Sequence, residues 1–318
     1  MIRFEQVSKQ FNNGTFAVKS LDLEINKGEF FVLIGPSGSG KTTTLKMINR
    51  LITLSDGTVW INNKKISDYD INELRWDIGY VLQQIALFPH MTIAENIAVV
   101  PELKGWDKEK ISRRVDELLD MVGLDPKIYR NRKPSELSGG QQQRIGVLRA
   151  LAADPEILLM DEPFSALDPF SREKLQDDLL EIQRKIKKTI VFVTHDMNEA
   201  MKLGDRVCLM RDGQVAQVGT PFELMTHPSD DFVREFVGGQ DIKFQLIDLV
   251  KPLNKNTTTF VEAKEVSLST HLHEVLEILI DKEYLLVEKE GQIIGMVYRE
   301  DVLKYMAQFV KKGWQIRG

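Results

Sequence analysis

The sequence predicts an α/β domain built on a parallel sheet, followed by a small α+β piece. Short apolar runs at residues 30–34, 157–160 and 189–194 read as strands buried on both faces. Stretches between them carry apolar residues three and four apart and read as helices. A glycine-rich loop lies directly between the first of these strands and a helix. Strands that alternate with helices imply parallel pairing, with helices covering the sheet.

The elements follow in order. Residues 1–34 read as strands and turns, with a turn at Asn12-Asn13-Gly14. Residues 43–51 have helical character. In residues 108–122, Ile111, Val115, Leu118, Leu119 and Val122 put one apolar stripe on a helix. Residues 172–188 form a charged amphipathic helix before the strand at 189–194. The pattern runs to about Phe236, and Gly238-Gly239 then punctuates the chain, so the domains are placed at 1–237 and 240–318. In the second piece Thr270 caps a helix whose apolar face is Leu272, Val275, Leu276, Leu279 and Ile280. Two strands, 284–288 and 293–298, join at Glu290-Gly291, and Arg299 returns the chain to helix.

A chain of 318 residues is long enough for two domains or one domain with an appendage. With 42% hydrophobic and 28% charged residues it is ordinary for a globular protein. A net charge of −5 gives no general pull toward nucleic acid, and no nucleic-acid partner is expected. The single cysteine, Cys208, cannot form an internal disulfide, which suits a reducing compartment; its apolar surroundings mark it as a core residue. No stretch approaches the roughly 20 apolar residues of a membrane helix, so any bilayer crossing must come from another chain.

Gly35-Pro36-Ser37-Gly38-Ser39-Gly40-Lys41-Thr42 fits the P-loop pattern, with Thr43 opening the helix behind it. Glycines let the backbone wrap a phosphate chain, and successive N–H groups at a helix N-terminus form a concave anion site. Lys41 adds a positive charge for the β and γ phosphates, and the Thr42 hydroxyl suits Mg²⁺. A nucleoside triphosphate with Mg²⁺ is therefore the expected ligand, and the loop alone would suit a kinase, a GTPase or a helicase. Further on, Asp161-Glu162 ends a buried apolar run, where ligands of open α/β sheets gather. Such a pair could merely begin a loop. Behind a P-loop it reads as an Mg²⁺ carboxylate, Asp161, and a water-polarising base, Glu162.

Leu137-Ser138-Gly139-Gly140-Gln141-Gln142-Gln143-Arg144 resembles the signature motif of ATP-binding cassette ATPases. The neighbouring motifs stand in the family's order over residues 1–237. Gln83 resembles the Q-loop glutamine, Ser165-Ala166-Leu167-Asp168 the D-loop, and His195 the switch histidine. Phe11 fits the aromatic that stacks on adenine, with Phe16 as a rival. The resemblance implies a P-loop cassette that works as a homodimer. Each ATP would lie between one chain's P-loop and the Ser138, Gly139, Gly140 and Gln141 of the other, with Asp168 organising the interface. It implies Glu162, His195 and Gln83 as catalytic residues, with Gln83 also near Mg²⁺ and reporting to the permease.

Asn96 to Trp106 resembles the osmoprotectant importers of glycine betaine, carnitine, choline or proline. Ile293-Ile294-Gly295-Met296-Val297-Tyr298-Arg299-Glu300-Asp301-Val302-Leu303 resembles the end of a cystathionine-β-synthase (CBS) motif, a module appended to such cassettes. That group usually carries two such motifs in tandem, whereas one fits between 240 and 318. One motif offers half a ligand cleft, so the expectation is that two copies pair, around cyclic di-AMP or another adenine nucleotide, or only to aid dimerisation. The expected location is the cytoplasmic face of the membrane, bound to permease subunits that receive cargo from an extracellular binding protein. The competing classes are a soluble cassette protein of translation or DNA repair and a regulatory nucleotide-binding module without turnover. A single cassette without a long heptad run speaks against the first, and Glu162 with His195 against the second.

Overall fold

The computed structural model describes residues 1–238, 246–251, 264–268, 270, 272–289 and 291–311. The chain divides into two compact units, Met1–Pro221 and Phe222–Gly318. The sequence reading instead closes the first domain at 237. Gly239 and Glu290, two of the punctuation residues, lie outside the described residues, as does the side chain of Leu272.

In the first unit the strands are β1 (Ile2–Gln10), β2 (Phe16–Ile25), β3 (Phe30–Ile34), β4 (Asp56–Ile61), β5 (Lys64–Lys65), β6 (Ile78–Val81), β7 (Ile157–Asp161), β8 (Thr189–Val193), β9 (Arg206–Arg211) and β10 (Gln214–Gly219). The helices are α1 (Lys41–Ile48), α2 (Ile71–Trp76), α3 (Ile93–Leu103), α4 (Lys108–Met121), α5 (Pro126–Tyr129), α6 (Gly139–Leu151), α7 (Pro169–Ile186) and α8 (Met197–Leu203).

Two sheets form. One is antiparallel, in the order β2-β1-β4-β5. The other runs β10-β9-β3-β8-β7-β6, parallel from β9 to β6, with β10 antiparallel at its edge. Every residue of β3, β7 and β8 is buried, as a strand covered on both faces requires. The core joins Phe31, Leu33, Leu159 and Val191 of the parallel sheet to Phe4, Leu21 and Val59 of the antiparallel one and Leu45 and Met47 of α1. Burying a side chain of this size contributes roughly 1.5–3 kcal/mol. Cys208 on β9 is fully buried and its thiol is pushed up to about 12 by that burial, so it is an inert core residue.

Helix ends follow local chemistry. Thr92 and Glu95 form a capping box at α3, and Asp107 caps α4, whose buried residues are Ile111, Val115, Leu118 and Leu119. Helix α7 begins before residue 172, because Asp168 caps it and Pro169 fits its first turn. No helix among the described residues is long and apolar enough to cross a membrane.

The second unit contains α9 (Pro221–Thr226), which begins on the last residue of the first, and α10 (Asp231–Gly238). It continues with β11 (Lys264–Ser267), α11 (Leu272–Asp281), β12 (Tyr284–Lys289), β13 (Gln292–Tyr298) and α12 (Arg299–Lys311). Its sheet is β11-β12-β13, with the first pair parallel and the second antiparallel. Val275, Leu279, Leu285, Val287, Val297 and Val302 form its core. Ile280, assigned by spacing to the apolar face, is exposed: it lies 100° round the helix from buried Leu279 and falls on the rim of the stripe.

Candidate functional site

The loop from Gly35 to Gly40 links the end of β3 to the N-terminus of α1. Gly35, Gly38 and Gly40 have φ of 151°, 80° and 100°. A Cβ on Gly35 would meet the Met210 carbonyl oxygen at 2.2 Å, and one on Gly40 the Ala17 carbonyl oxygen at 2.4 Å. Glycine is therefore a steric requirement at both positions. Pro36, Ser37 and Gly38 are exposed, whereas Ser39 is buried, and its Oγ has no hydrogen-bond partner. Thr43 is half-buried in the first turn of α1. Lys41 is buried and folds back, Nζ donating to the carbonyls of Gly35 at 2.8 Å and Pro36 at 2.9 Å. Burial lowers its pKa, and the charges of Glu162 and Asp161 oppose that shift.

Asp161 ends β7 beside this loop. Thr42 Oγ1 donates to its Oδ1 at 2.9 Å, Tyr80 Oη to its Oδ2 at 3.2 Å, and Lys46 Nζ lies 3.4 Å from Oδ2. Burial, more than the Asp161 charge, raises the Tyr80 phenol well above its usual range, so it stays a donor.

Glu162 turns sharply out of the strand. Its φ is 45°, a left-handed conformation that costs a non-glycine residue about 1–3 kcal/mol. The turn is held by its N–H donating to Val193 O at 3.0 Å, and by Ser165 N and Oγ donating to its carbonyl at 3.2 and 3.0 Å. Its Oε2 then meets two groups remote in sequence: Gln83 Nε2 at 3.4 Å and His195 Nδ1 at 3.1 Å. Gln83 follows β6 and His195 follows β8, so three strand ends converge on one carboxylate oxygen.

Ser138 caps α6. Its Oγ accepts from Gln141 N at 3.3 Å while Gln141 Oε1 accepts from Ser138 N at 3.0 Å. Ser138 and Gly139 are exposed, and a Cβ on Gly139 would meet nothing within 4 Å, so the positive end of this 13-residue helix is open. Asp168 accepts from Ser171 N at 3.0 Å, and hydrogen bonds from Ser171 lower its pKa. Phe11 and Phe16 are both exposed, and Lys9 Nζ lies 5.3 Å from the Phe11 ring centroid.

The family model for ABC transporters matches residues 18–165, and that for the CBS domain matches residues 262–308. The chain is 48% identical over 320 residues to the glycine betaine/carnitine/choline transport ATP-binding protein OpuCA of Bacillus subtilis, covering 95% of this chain and 84% of that protein. The chain belongs to the ATP-binding subunits of ABC transporters. It is also 43% identical to the glycine betaine uptake system ATP-binding protein YehX of Escherichia coli K12, over 95% of this chain and 99% of that one. Among solved structures, the ATP-binding cassette MJ0796, a dimer in a post-hydrolysis state bound to ADP and Pi, is 38% identical with a TM-score of 0.62. That match covers 70% of this chain and 99% of MJ0796. The cassette fold, the ATPase class and the CBS domain expected from the motifs are thus found.

Tyr80, Lys46 and Arg149 are among the cassette-site residues that escaped the sequence reading. Tyr80 and Lys46 hold Asp161; their only signals are position, three residues before Gln83 and one helical turn after Thr42. Arg149 on α6 donates to Ala86 O at 2.7 Å and lies over the Phe88 ring at 5.7 Å, supporting the segment after Gln83. No sequence pattern signals that contact.

Glu199 is a further buried acid, and its desolvation pushes its carboxyl up from 4.5 to about 7. The folded cassette therefore holds this proton where the unfolded chain has lost it. Stability falls as pH rises from 4.5 through 7, by on the order of 3 kcal/mol from this group. Glu199→Gln removes the titration. Its unfolding free energy, measured in urea, is expected to gain on the wild type as pH rises from 4.5 to 8; a constant difference would refute this.

Proposed function

We propose that this ATPase drives uptake of a quaternary amine osmoprotectant (glycine betaine, carnitine or choline) through a separate membrane permease. The carrying observation is the meeting of Gln83 and His195 on Glu162 Oε2, in a chain nearly half identical to transport ATP-binding proteins for these solutes.

The residues fit ATP with Mg²⁺. The loop leaves no room for a Cβ at Gly35 or Gly40, and the orphaned Ser39 hydroxyl is a buried donor at the phosphate cradle. Thr42, Asp161 and Gln83 supply the oxygen donors a hard divalent cation takes. Bound there, Mg²⁺ neutralises phosphate charge. Lys41 and the N-terminus of α1 hold the β and γ phosphates, and Phe11 stacks on the adenine. Glu162, turned out of its strand, orients the attacking water and takes its proton. His195 and Gln83 fix the carboxylate in place, and His195 is free to turn to the γ-phosphate. Phosphoryl transfer needs this positioning and charge balance more than covalent help.

Two copies act together, with Ser138, Gly139, Gly140 and Gln141 of one chain closing the nucleotide of the other and Asp168 at their interface. The open N-terminus of α6 and the dimeric MJ0796 structures support this. The segment after Gln83 faces the permease, which takes cargo from an extracellular binding protein and holds the ATPase at the cytoplasmic face.

The test is uptake of radiolabelled glycine betaine, carnitine and choline, each in turn, by osmotically stressed cells lacking the gene. Wild-type chain is expected to restore uptake and Glu162→Gln to leave it absent. Equal rescue by both, or by neither while the wild-type ATPase is active, would refute the assignment.

The CBS match supports a second role, ligand-dependent control by paired C-terminal units. Cyclic di-AMP is the proposed ligand, and calorimetry on the full chain is expected to show saturable heat. No heat at millimolar ligand would leave this unit a dimerisation element.

A further inference from the structure

The wall behind Glu162 and His195 contains charged groups that the hydrolytic reading leaves unused. Arg172 stands on α7 one turn after Asp168. Its Nη2 donates to the Leu167 carbonyl at 3.3 Å. The same guanidinium faces α8, with Nη1 3.7 Å from Asp196 Oδ2 and Nε 3.9 Å from Glu199 Oε1. It lines the same cleft as Glu162 and His195.

Asp196 and Glu199 in turn fix the residues around His195. Thr194 Oγ1 donates to Glu199 Oε2 at 2.6 Å and accepts from Asp196 N at 3.0 Å. Asp196 Oδ1 caps α8 through Asn198 N at 2.8 Å. Both neighbours of His195 are thus anchored to one cluster. The imidazole itself is 64% exposed, with its Nδ1 3.1 Å from Glu162 Oε2. Its direction therefore depends on the backbone at 194–196 and on Glu162. A guanidinium is a planar, permanently charged fork, and here one side chain faces the Leu167 carbonyl, the Asp196 carboxylate and the Glu199 carboxyl.

We propose that Arg172 is a positioning residue that ties the Leu167–Asp168 segment to the His195 loop. The orientation of the switch histidine would then follow the segment proposed to meet the partner cassette. This rests on the ATPase dimer reading. It adds that the partner's approach reaches His195 through Arg172, Asp196 and Glu199, besides acting at the nucleotide.

The experiment uses the full chain with Arg172→Met and Arg172→Lys, alone and combined with His195→Ala. Misplacing a catalytic group by about 1 Å costs up to about 100-fold in rate. Arg172→Met is therefore expected to lower kcat about 10- to 100-fold, with KM for ATP within about 2-fold. Arg172→Lys is expected to restore part of the rate, since it keeps the charge and loses the fork. In single-turnover reactions with His195→Ala, adding Arg172→Met is expected to change nothing further, because both act through one group. Thermal unfolding shows whether each variant is folded. Should Arg172→Met fail to fold, Arg172→Lys carries the same double-mutant cycle. A rate loss that multiplies fully with His195→Ala, or a rise in KM with kcat unchanged, would overturn the proposal. So would wild-type kinetics in both variants. A wild-type chain that does not hydrolyse ATP would instead sink the underlying ATPase reading.

Discussion

Glu162→Gln is expected to lower ATP turnover by about 100- to 10,000-fold while ATP still binds, the range spanned by loss of a general base. The glutamine keeps the shape of the side chain and can still accept from Gln83 or His195. It loses the charge that polarises water. Steric demand on the left-handed turn at 162 is unchanged, as are the bonds from Ser165 and to Val193 that hold it. The fold should therefore survive. With hydrolysis blocked and both anion sites intact, nucleotide should hold two chains together, so the variant should elute as a dimer in ATP. Phosphate release and size-exclusion chromatography measure the two effects. Turnover at the wild-type rate would show that Glu162 is not the base.

Lys41→Met is expected to weaken ATP binding by about 10- to 100-fold, the equivalent of one charged hydrogen bond. The ammonium lies buried against two carbonyls of its own loop, already at the phosphate site. Phosphate oxygens can replace those carbonyls as acceptors, so the positive charge is exchanged between partners rather than newly desolvated. Methionine matches the length and apolar stem of lysine but has no donor. Two carbonyls then lose a partner, and the buried one of Gly35 costs about 1–3 kcal/mol. Calorimetric titration with ATP measures the loss, and the thermal midpoint is expected to move by only a few degrees. Binding within twofold of wild type would remove the loop from the nucleotide site.

The positions of these groups were legible to different degrees. A glycine pattern between a strand and a helix is local and marks the loop and the start of α1, although the steric demand for glycine at 35 and 40 comes from the distant Met210 and Ala17 carbonyls. The acid pair Asp161 and Glu162 is local too, because a run of buried apolar residues ends in two charges at the carboxyl end of a central strand. The capping of α6 by Ser138 and Gln141 is likewise written within four residues, whereas the sequence reading starts α7 at 172 and misses its Asp168 cap. Ile280 fails where local spacing stops being sufficient: periodicity identifies a helix and its stripe, while burial at the rim depends on what packs there.

The sequence alone determined the class of this protein, its phosphate loop, its acid pair and the strands that carry them, because each arises from neighbouring residues obeying backbone sterics and periodic burial. Only the tertiary structure decided which groups meet. Parallel strands bring β6, β7 and β8 side by side, so Gln83, Glu162 and His195 share one oxygen across gaps of 79 and 33 residues. The strand order likewise sets Tyr80 and Lys46 on Asp161, and α7 packed against α8 sets Arg172 beside Asp196 and Glu199. Such contacts are set by the long-range order of strands and helices, which no short stretch of chain encodes.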